Sequence, residues 1–285
     1  LVNAGEEEAR AMLADPRLRY VLPDRAFQVL PAEGAVPPPP PRRDPDELAW
    51  RYPPSGAVDK AARPLRGCPA IDTPGRMFAC IEDRLLMFAV GEQTPQWEYA
   101  TGGPIPRSPA IGPDGNARVH SCDGYLHVVD PSGKQVFDPV AVGEPLGWAS
   151  PLVDPQNNTW VCRSEGGLIK VDCDGHTDDR PFFRTRRRFD CTGLIHQDVL
   201  YIGGEDHYVY AIPLSGQRGE NAWAGSPECG RTNCAINCAL ALTDGSQLLV
   251  ASQDDHLHAF GLDGGALWAT AMPGRLTPAS SSAAI

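Results

Sequence analysis

The chain has 285 residues, with 25 Lys or Arg against 36 Asp or Glu and a formal net charge of −11. So acidic a chain is a poor general binder of nucleic-acid backbone, which demands clustered basic residues. Apolar residues make up 42% of it, enough for a sizeable core and too many for a chain disordered throughout. Its longest apolar runs, such as 85–90, are far too short to cross a bilayer.

The first predicted element is a helix. Asn3 with Glu6 three residues later reads as a capped start, and the helix runs to about Leu13, before Pro16. Residues 1–17 are therefore an N-terminal helical arm. From residue 18 to 285 one pattern recurs. Units open at positions 69, 109, 151, 192, 238 and 278, at spacings of 40, 42, 41, 46 and 40. Each holds short runs that alternate apolar and other residues, split by Gly, Asp and Pro turns. Period-two alternation means strands with a buried face, and four strands in some 40–45 residues is the arithmetic of a β-propeller blade. Gly and Pro number 29 each, in keeping with many turns.

The sixth unit begins at Thr277-Pro278 and holds one strand. Its remainder is read at the other end of the chain, where 19–34 aligns without gaps on 118–133. Asp24 falls on Asp123, Phe27 on Leu126, Val29 on Val128 and Gly34 on Gly133, and Trp50 would be the closing aromatic. Pairing the two chain ends would close the ring and remove exposed sheet edges. The expected fold is thus all-β: a six-bladed β-propeller over 18–285 closed by N- and C-terminal strands, with a short N-terminal helix. The alternative is a fragment of a seven- or eight-bladed ring. The proline-rich stretch 35–47, with five prolines from Pro37 to Pro41 and then Arg42-Arg43, is an extended insertion in the first blade.

Nine cysteines offer chemistry. Cys68 and Cys80 flank Thr73-Pro74-Gly75-Arg76, and a hairpin centred on position 74 sets them opposite one another, in reach of a cross-strand disulfide. Cys229 and Cys234 enclose a loop that a second disulfide could close. Such bridges imply an oxidising compartment, and the odd count leaves a thiol over. Read instead as a metal site, Cys229, Cys234 and Cys238 match no strong zinc or iron–sulfur spacing. Glu205-Asp206-His207 and Asp254-Asp255-His256 have the residue types of metal or acid/base clusters. The repeat places both in the tight turn held by Cys122-Asp123-Gly124 elsewhere, so they are turn residues and no metal site is assigned. His120 and His127 fall on strands, as structural or solvent-facing side chains. Asn157-Asn158-Thr159 is a formal glycosylation sequon in a surface turn.

The one dense basic run is Arg184-Thr185-Arg186-Arg187-Arg188, in the connection before Cys191. Arg184, Arg186, Arg187 and Arg188 are candidate partner-binding residues; the plain alternative is a solvated loop paired to Asp178, Asp179 and Asp190. No dinucleotide-binding, phosphate-loop or serine-nucleophile motif appears, and no catalytic residue is assigned.

The repeat resembles the quinoprotein-like (PQQ-like) β-propeller repeat. Its clearest carrier is 258–268, with alternating apolar residues, Asp263, Gly264-Gly265 and closing Trp268; the stretch 128–137, with Asp130 and Gly133, is a second. The resemblance covers nearly all of the chain after residue 17. It implies either a quinone-dependent dehydrogenase or a non-enzymatic scaffold or sensor, such as the scaffolds of bacterial outer-membrane assembly. The chain lacks the adjacent Cys-Cys pair of many quinone alcohol dehydrogenases and any Cys-x-x-Cys-His haem motif. Phe137 and Pro181-Phe182-Phe183 stand where Trp is common. These departures favour a non-catalytic scaffold subunit that binds other protein subunits in an envelope-associated assembly, periplasmic or extracellular, with no cofactor and no nucleic acid. Membrane association would come only through a partner or a lipid anchor. The runner-up is a small quinone- or metal-dependent oxidoreductase with its site on the channel.

Overall fold

A computed structural model describes residues 67–272, apart from 73, 90, 93, 146–148, 164, 179, 224–228 and 244–245. The helical arm, the proline-rich insertion, the 19–34 alignment with Trp50 and the strand after Thr277 all lie outside the described residues, so the blade built from both chain ends does too.

Within them the chain forms five antiparallel sheets in succession. The first joins β1 (Ala70–Ile71), β2 (Met77–Ile81), β3 (Arg84–Phe88) and β4 (Trp97–Ala100). The second joins β5 (Ala110–Ile111), β6 (Ala117–His120), β7 (Tyr125–Val129) and β8 (Val140–Ala141). The third holds β9 (Leu152–Val153), β10 (Thr159–Cys162), β11 (Gly167–Val171) and β12 (Phe183–Arg184). The fourth holds β13 (Leu194–His196), β14 (Val199–Gly203) and β15 (Val209–Pro213). The fifth holds β16 (Ala241–Thr243), β17 (Gln247–Ser252), β18 (His256–Gly261) and β19 (Ala266–Ala271). Strands pair in chain order throughout; two- to five-residue turns join the first three strands of each sheet and leave each no nearer partner than the last. The chain is a β-propeller.

The first strands of the first three sheets lie side by side. β1 lies against β5 and β5 against β9. The lead-ins to these strands touch as well: Cys68 N–H donates to Ser108 Oγ at 2.8 Å, and Ser150 N–H to Thr192 Oγ1 at 2.9 Å. The middle strands are buried on both faces, as β6 is along its whole length. Their apolar residues fill the spaces between neighbouring sheets. Phe78 and Leu85 of the first sheet pack with Val119 and Val129 of the second, and Leu126 and Val128 of the second with Val161 and Ile169 of the third.

The closing aromatics lock one sheet to the next. Trp97 donates its indole N–H to Pro131 O at 3.0 Å, and its ring lies over Gly133, at φ +86°. Trp223 donates to Leu262 O at 3.0 Å over Gly264, at φ +85°. Phe137 covers Gly175 in the same way without a donor, so its replacement of Trp keeps the packing and drops the hydrogen bond. Only glycine fits below each ring, since a Cβ would come within 2.7 Å of it in all three cases. The indole nitrogen of Trp268 is buried and has no partner among the described residues.

The fourth sheet departs from the expected four strands per unit: it has three among the described residues. The outer edge of β15 is met by separate contacts instead: Val209 N–H donates to Gly230 O at 2.8 Å, Ala222 N–H to Ala211 O at 2.7 Å, and Ala211 N–H to Asn221 Oδ1 at 3.1 Å.

Candidate docking face

The four connections between the described sheets each cross the turn between second and third strands of the sheet before them. Thr101 N–H donates to Asp83 O at 2.8 Å, Val142 N–H to Gly124 O at 3.0 Å, Thr185 N–H to Gly166 O at 3.0 Å and Thr232 N–H to His207 O at 2.8 Å. The turns themselves need left-handed backbone, which Gly124, Gly166, His207 and Asp255 supply.

Two of those turns are the acidic clusters read from the sequence, and the structure keeps them as turn devices. Asp254 accepts the backbone N–H of Asn233 at 3.1 Å and of His256 at 3.1 Å, and pairs with His258 Nε2 at 2.9 Å. Asp123 does the same for Gly102, Tyr125 and His127. Asp206 accepts from Tyr210 Oη at 2.7 Å. An Asp with a ring donor four residues on is thus a repeated brace, legible in the sequence as Asp123/His127, Asp206/Tyr210 and Asp254/His258 but overlooked there. The histidines are correspondingly not solvent-facing. His127 and His120 are buried. His120 Nε2 donates to Gly143 O at 2.7 Å, and burial holds its pKa down at about 4, so it is neutral near pH 7.

The basic stretch crosses this same face. Phe183 and Phe189 are buried in one apolar cluster with Tyr210 packed against it, and pin the stretch at both ends. Between them Arg184, Arg186, Arg187 and Arg188 are all exposed. The backbone is held from below: Thr185 Oγ1 donates to Arg187 O, and Gly166 leaves no room for a Cβ beside that carbonyl. Arg188 is a fork on Glu205, with contacts of 3.2 and 3.4 Å. Arg184, Arg186 and Arg187 have no ion pair among the described residues. Asp178, a candidate partner from the sequence, pairs with Arg218 at 2.6 Å instead.

Asp190 lies under this stretch, 4% exposed, with Oδ1 lacking any hydrogen-bond partner. Burial pushes its pKa up to about 6, helped by a hydrogen bond to Glu205 and by the charge of that residue. Glu205 is also pushed up by burial, but its bonds to Asp190 and Arg188 outweigh this and leave it lowered. Arg107, in the lead-in to β5, acts on Asp190 as well. Charged groups therefore do gather on the inner side of this face, and they are engaged with one another.

The cysteines correct an expectation. All nine are free, so neither Cys68–Cys80 nor Cys229–Cys234 is bridged. The hairpin register is the expected one, with Ala70 opposite Phe78 and Ile71 opposite Met77, but pairing stops at Ala70. Cys68 lies beyond it, exposed and tied by its N–H to Ser108, whereas Cys80 is buried in β2. Cys234 and Cys229 likewise take different surroundings: Cys234 O accepts from Thr232, and Cys229 Sγ approaches Asp263 O at 3.8 Å. Burial raises the thiols of Cys80 and Cys162 to about 12 and that of Cys238 to about 11, which makes them poor nucleophiles and poor metal ligands. Among the described residues, three metal-ligand side chains come within 4.8 Å of one another at Asp172, Asp174 and His176. That group is a turn on the opposite face, where Asp172 Oδ1 already accepts the N–H groups of Asp174 and His176. In the sequon, Asn157 Oδ1 accepts Asp114 N–H at 3.1 Å and Thr159 is buried. Among the described residues no helix is long and apolar enough to cross a membrane.

The sequence matches no known protein-family profile and no curated protein. Among solved structures, BamB from Moraxella catarrhalis superposes with a TM-score of 0.58 at 17% identity, over 72% of this chain and 64% of that one. The computationally designed protein Ika8 superposes with a TM-score of 0.60 at 10% identity, over 76% of this chain and 64% of that one. The chain thus spans about 64% of the length of each. At these identities the likeness is one of fold.

Proposed function

We propose that this chain is a non-catalytic propeller that docks other protein subunits through the face carrying Arg184, Arg186, Arg187 and Arg188. One observation carries the reading: three exposed arginines, without ion pairs among the described residues, sit on a pinned backbone in a chain whose net charge is −11. Guanidinium forks grouped on one pinned backbone suit carboxylate or phosphate partners. A propeller suits the task because it presents broad rims of loops on a stiff ring. The fold likeness to BamB and the repeat resemblance are compatible with a scaffold role, while fold alone carries little functional information. A six-bladed ring over 18–285, closed by 19–34 and the C-terminal strand, is the architecture we propose for it. We place the assembly in the cell envelope or outside the cell, on the resemblance.

Native mass spectrometry of the protein purified from its own source, without reductant, tests this. A stoichiometric complex with a whole partner chain is expected. A small added mass equal to a quinone and a divalent ion would overturn the reading in favour of an oxidoreductase.

A further inference from the structure

The arginine face lies directly over a pair of carboxyls. Asp190 is buried with Oδ1 unpartnered, and Glu205, whose charge acts on it, is tied to the same connection by its N–H on Arg188 O at 3.0 Å and by the Arg188 fork at 3.2 Å. Two carboxyls so placed ionise together only at considerable cost, so one of them retains a proton. Arg188 fixes the charge on Glu205, which leaves the proton on the more deeply buried Asp190. The groups that face Asp190 are Glu205 from the turn between β14 and β15, Arg188 from its own connection, Arg107 from the lead-in to β5, and the thiols of Cys162 and Cys191. Arg187 acts on Glu205 from above, and His207 is a further titratable group in that turn.

We infer that the surface of Arg184, Arg186 and Arg187 takes an acidic peptide segment, and that the proton on Asp190 sets how tightly it is held. The inference rests on the docking reading above and names its partner and its control. Loss of the proton puts a second negative charge behind Arg187 and Arg188. The guanidiniums are then drawn to the protein's own carboxylates, and the potential offered outward falls. A peptide fits better than a lipid surface. The large apolar side chains exposed among the described residues are Ile71, Tyr125, Val136 and Leu267, none of them in the stretch, so it carries no anchor for a bilayer. An extended anionic membrane would also meet the rest of an acidic chain, whereas a short acidic segment meets the basic loop alone. Ordinary Asp side chains, with pKa values near 4, stay charged over the range in which Asp190 changes state.

The test is isothermal titration of the full chain with an octa-aspartate peptide, at about pH 7.5 and about pH 5.5 and constant ionic strength, with anionic vesicles as the comparison ligand. Binding should tighten by roughly threefold to tenfold at the lower pH, the effect of one charge removed at close range. Asp190→Asn should bind at the higher pH as tightly as wild type does at the lower, with no pH step, which separates Asp190 from His207. Should that variant not fold, Glu205→Gln serves, because removing the partner carboxyl takes away part of what raises Asp190 and moves the step to lower pH; a step left where it is in wild type would overturn the control. Peptide binding without a pH step, or a step retained in Asp190→Asn, would overturn the control and leave docking intact. Binding to vesicles but not to peptide would overturn the acidic-peptide partner. A protein complex from the native source combined with no affinity for the peptide would do the same without touching the docking reading.

Discussion

The indole N–H of Trp97 donates to the carbonyl of Pro131 in the neighbouring sheet at 3.0 Å, with Gly133 directly beneath the ring. This contact joins two blades through one side chain and one turn, and it is repeated by Trp223 on Leu262 and Gly264. Trp97→Phe keeps the ring and removes the donor, so it should cost about 1 kcal/mol. Gly133→Ala adds a Cβ 2.7 Å from the ring at a backbone φ of +86°, and should cost more, about 2–4 kcal/mol. Urea unfolding of both variants measures the difference; an alanine variant as stable as wild type would refute the lock.

Arg118 is a second load on the core. Its side chain is buried, forks onto Asp114 at 2.7 and 2.8 Å, and donates to Thr159 Oγ1 at 3.1 Å. Arg118→Ala removes the buried guanidinium and its bonds and leaves the exposed Asp114 on Asn116 alone, and should destabilise by about 1–3 kcal/mol; Arg118→Lys, with a single-point charge, should not restore it. Burial raises Asp114, but the hydrogen bonds from Arg118 and the Asn116 amide outweigh it and depress the pKa. A depressed folded-state value means stability that is present above the ordinary carboxylate range and is lost as pH falls through the folded value.

Asp190 has the opposite sign. Its folded pKa, about 6, lies above the ordinary value of 3.8, so the folded state binds an extra proton between them. Its contribution is complete below the ordinary value and is lost as pH rises through about 6. Asp190→Asn should therefore become more stable relative to wild type between pH 5 and 7.5, by about 1.4 kcal/mol, the part of the shift that lies above pH 5. Thermal melts at a series of pH values would show it; a difference that does not change with pH would be contrary evidence.

The thiols differ in reach. Alkylation of the native protein should label Cys68, Cys122 and Cys173, which are exposed, well before Cys80 and Cys191, which are buried. Peptide mass spectrometry after short exposure gives the order, and early labelling of Cys191 would contradict the packing around it.

Much of the fold was legible because blades repeat. Period-two alternation and Asp–Gly turns at spacings near 40 fixed the units, and centring the first hairpin on position 74 gave the register of Ala70 with Phe78. The hairpin argument failed at Cys68 and Cys80 since register says nothing of where a ladder ends. The missing strand opposite β15 was hidden because scattered contacts from Ala222, Gly230 and the Asn221 amide stand in for it, and no apolar pattern marks them. The basic run was plain in the sequence, but what lies beneath it was not. Asp190 and Glu205 belong to different elements, and only the passage of a connection over a turn brings them together. Phe183 and Phe189, which pin the run, read in sequence merely as degenerate closing aromatics and flanking residues.

The most direct measurement is native mass spectrometry of the complex isolated from the natural source, comparing wild type with Arg184→Ala/Arg186→Ala/Arg187→Ala, both checked for the same unfolding midpoint. The docking account predicts a partner chain on wild type and its loss from the variant. A partner retained in full by the folded variant would contradict it.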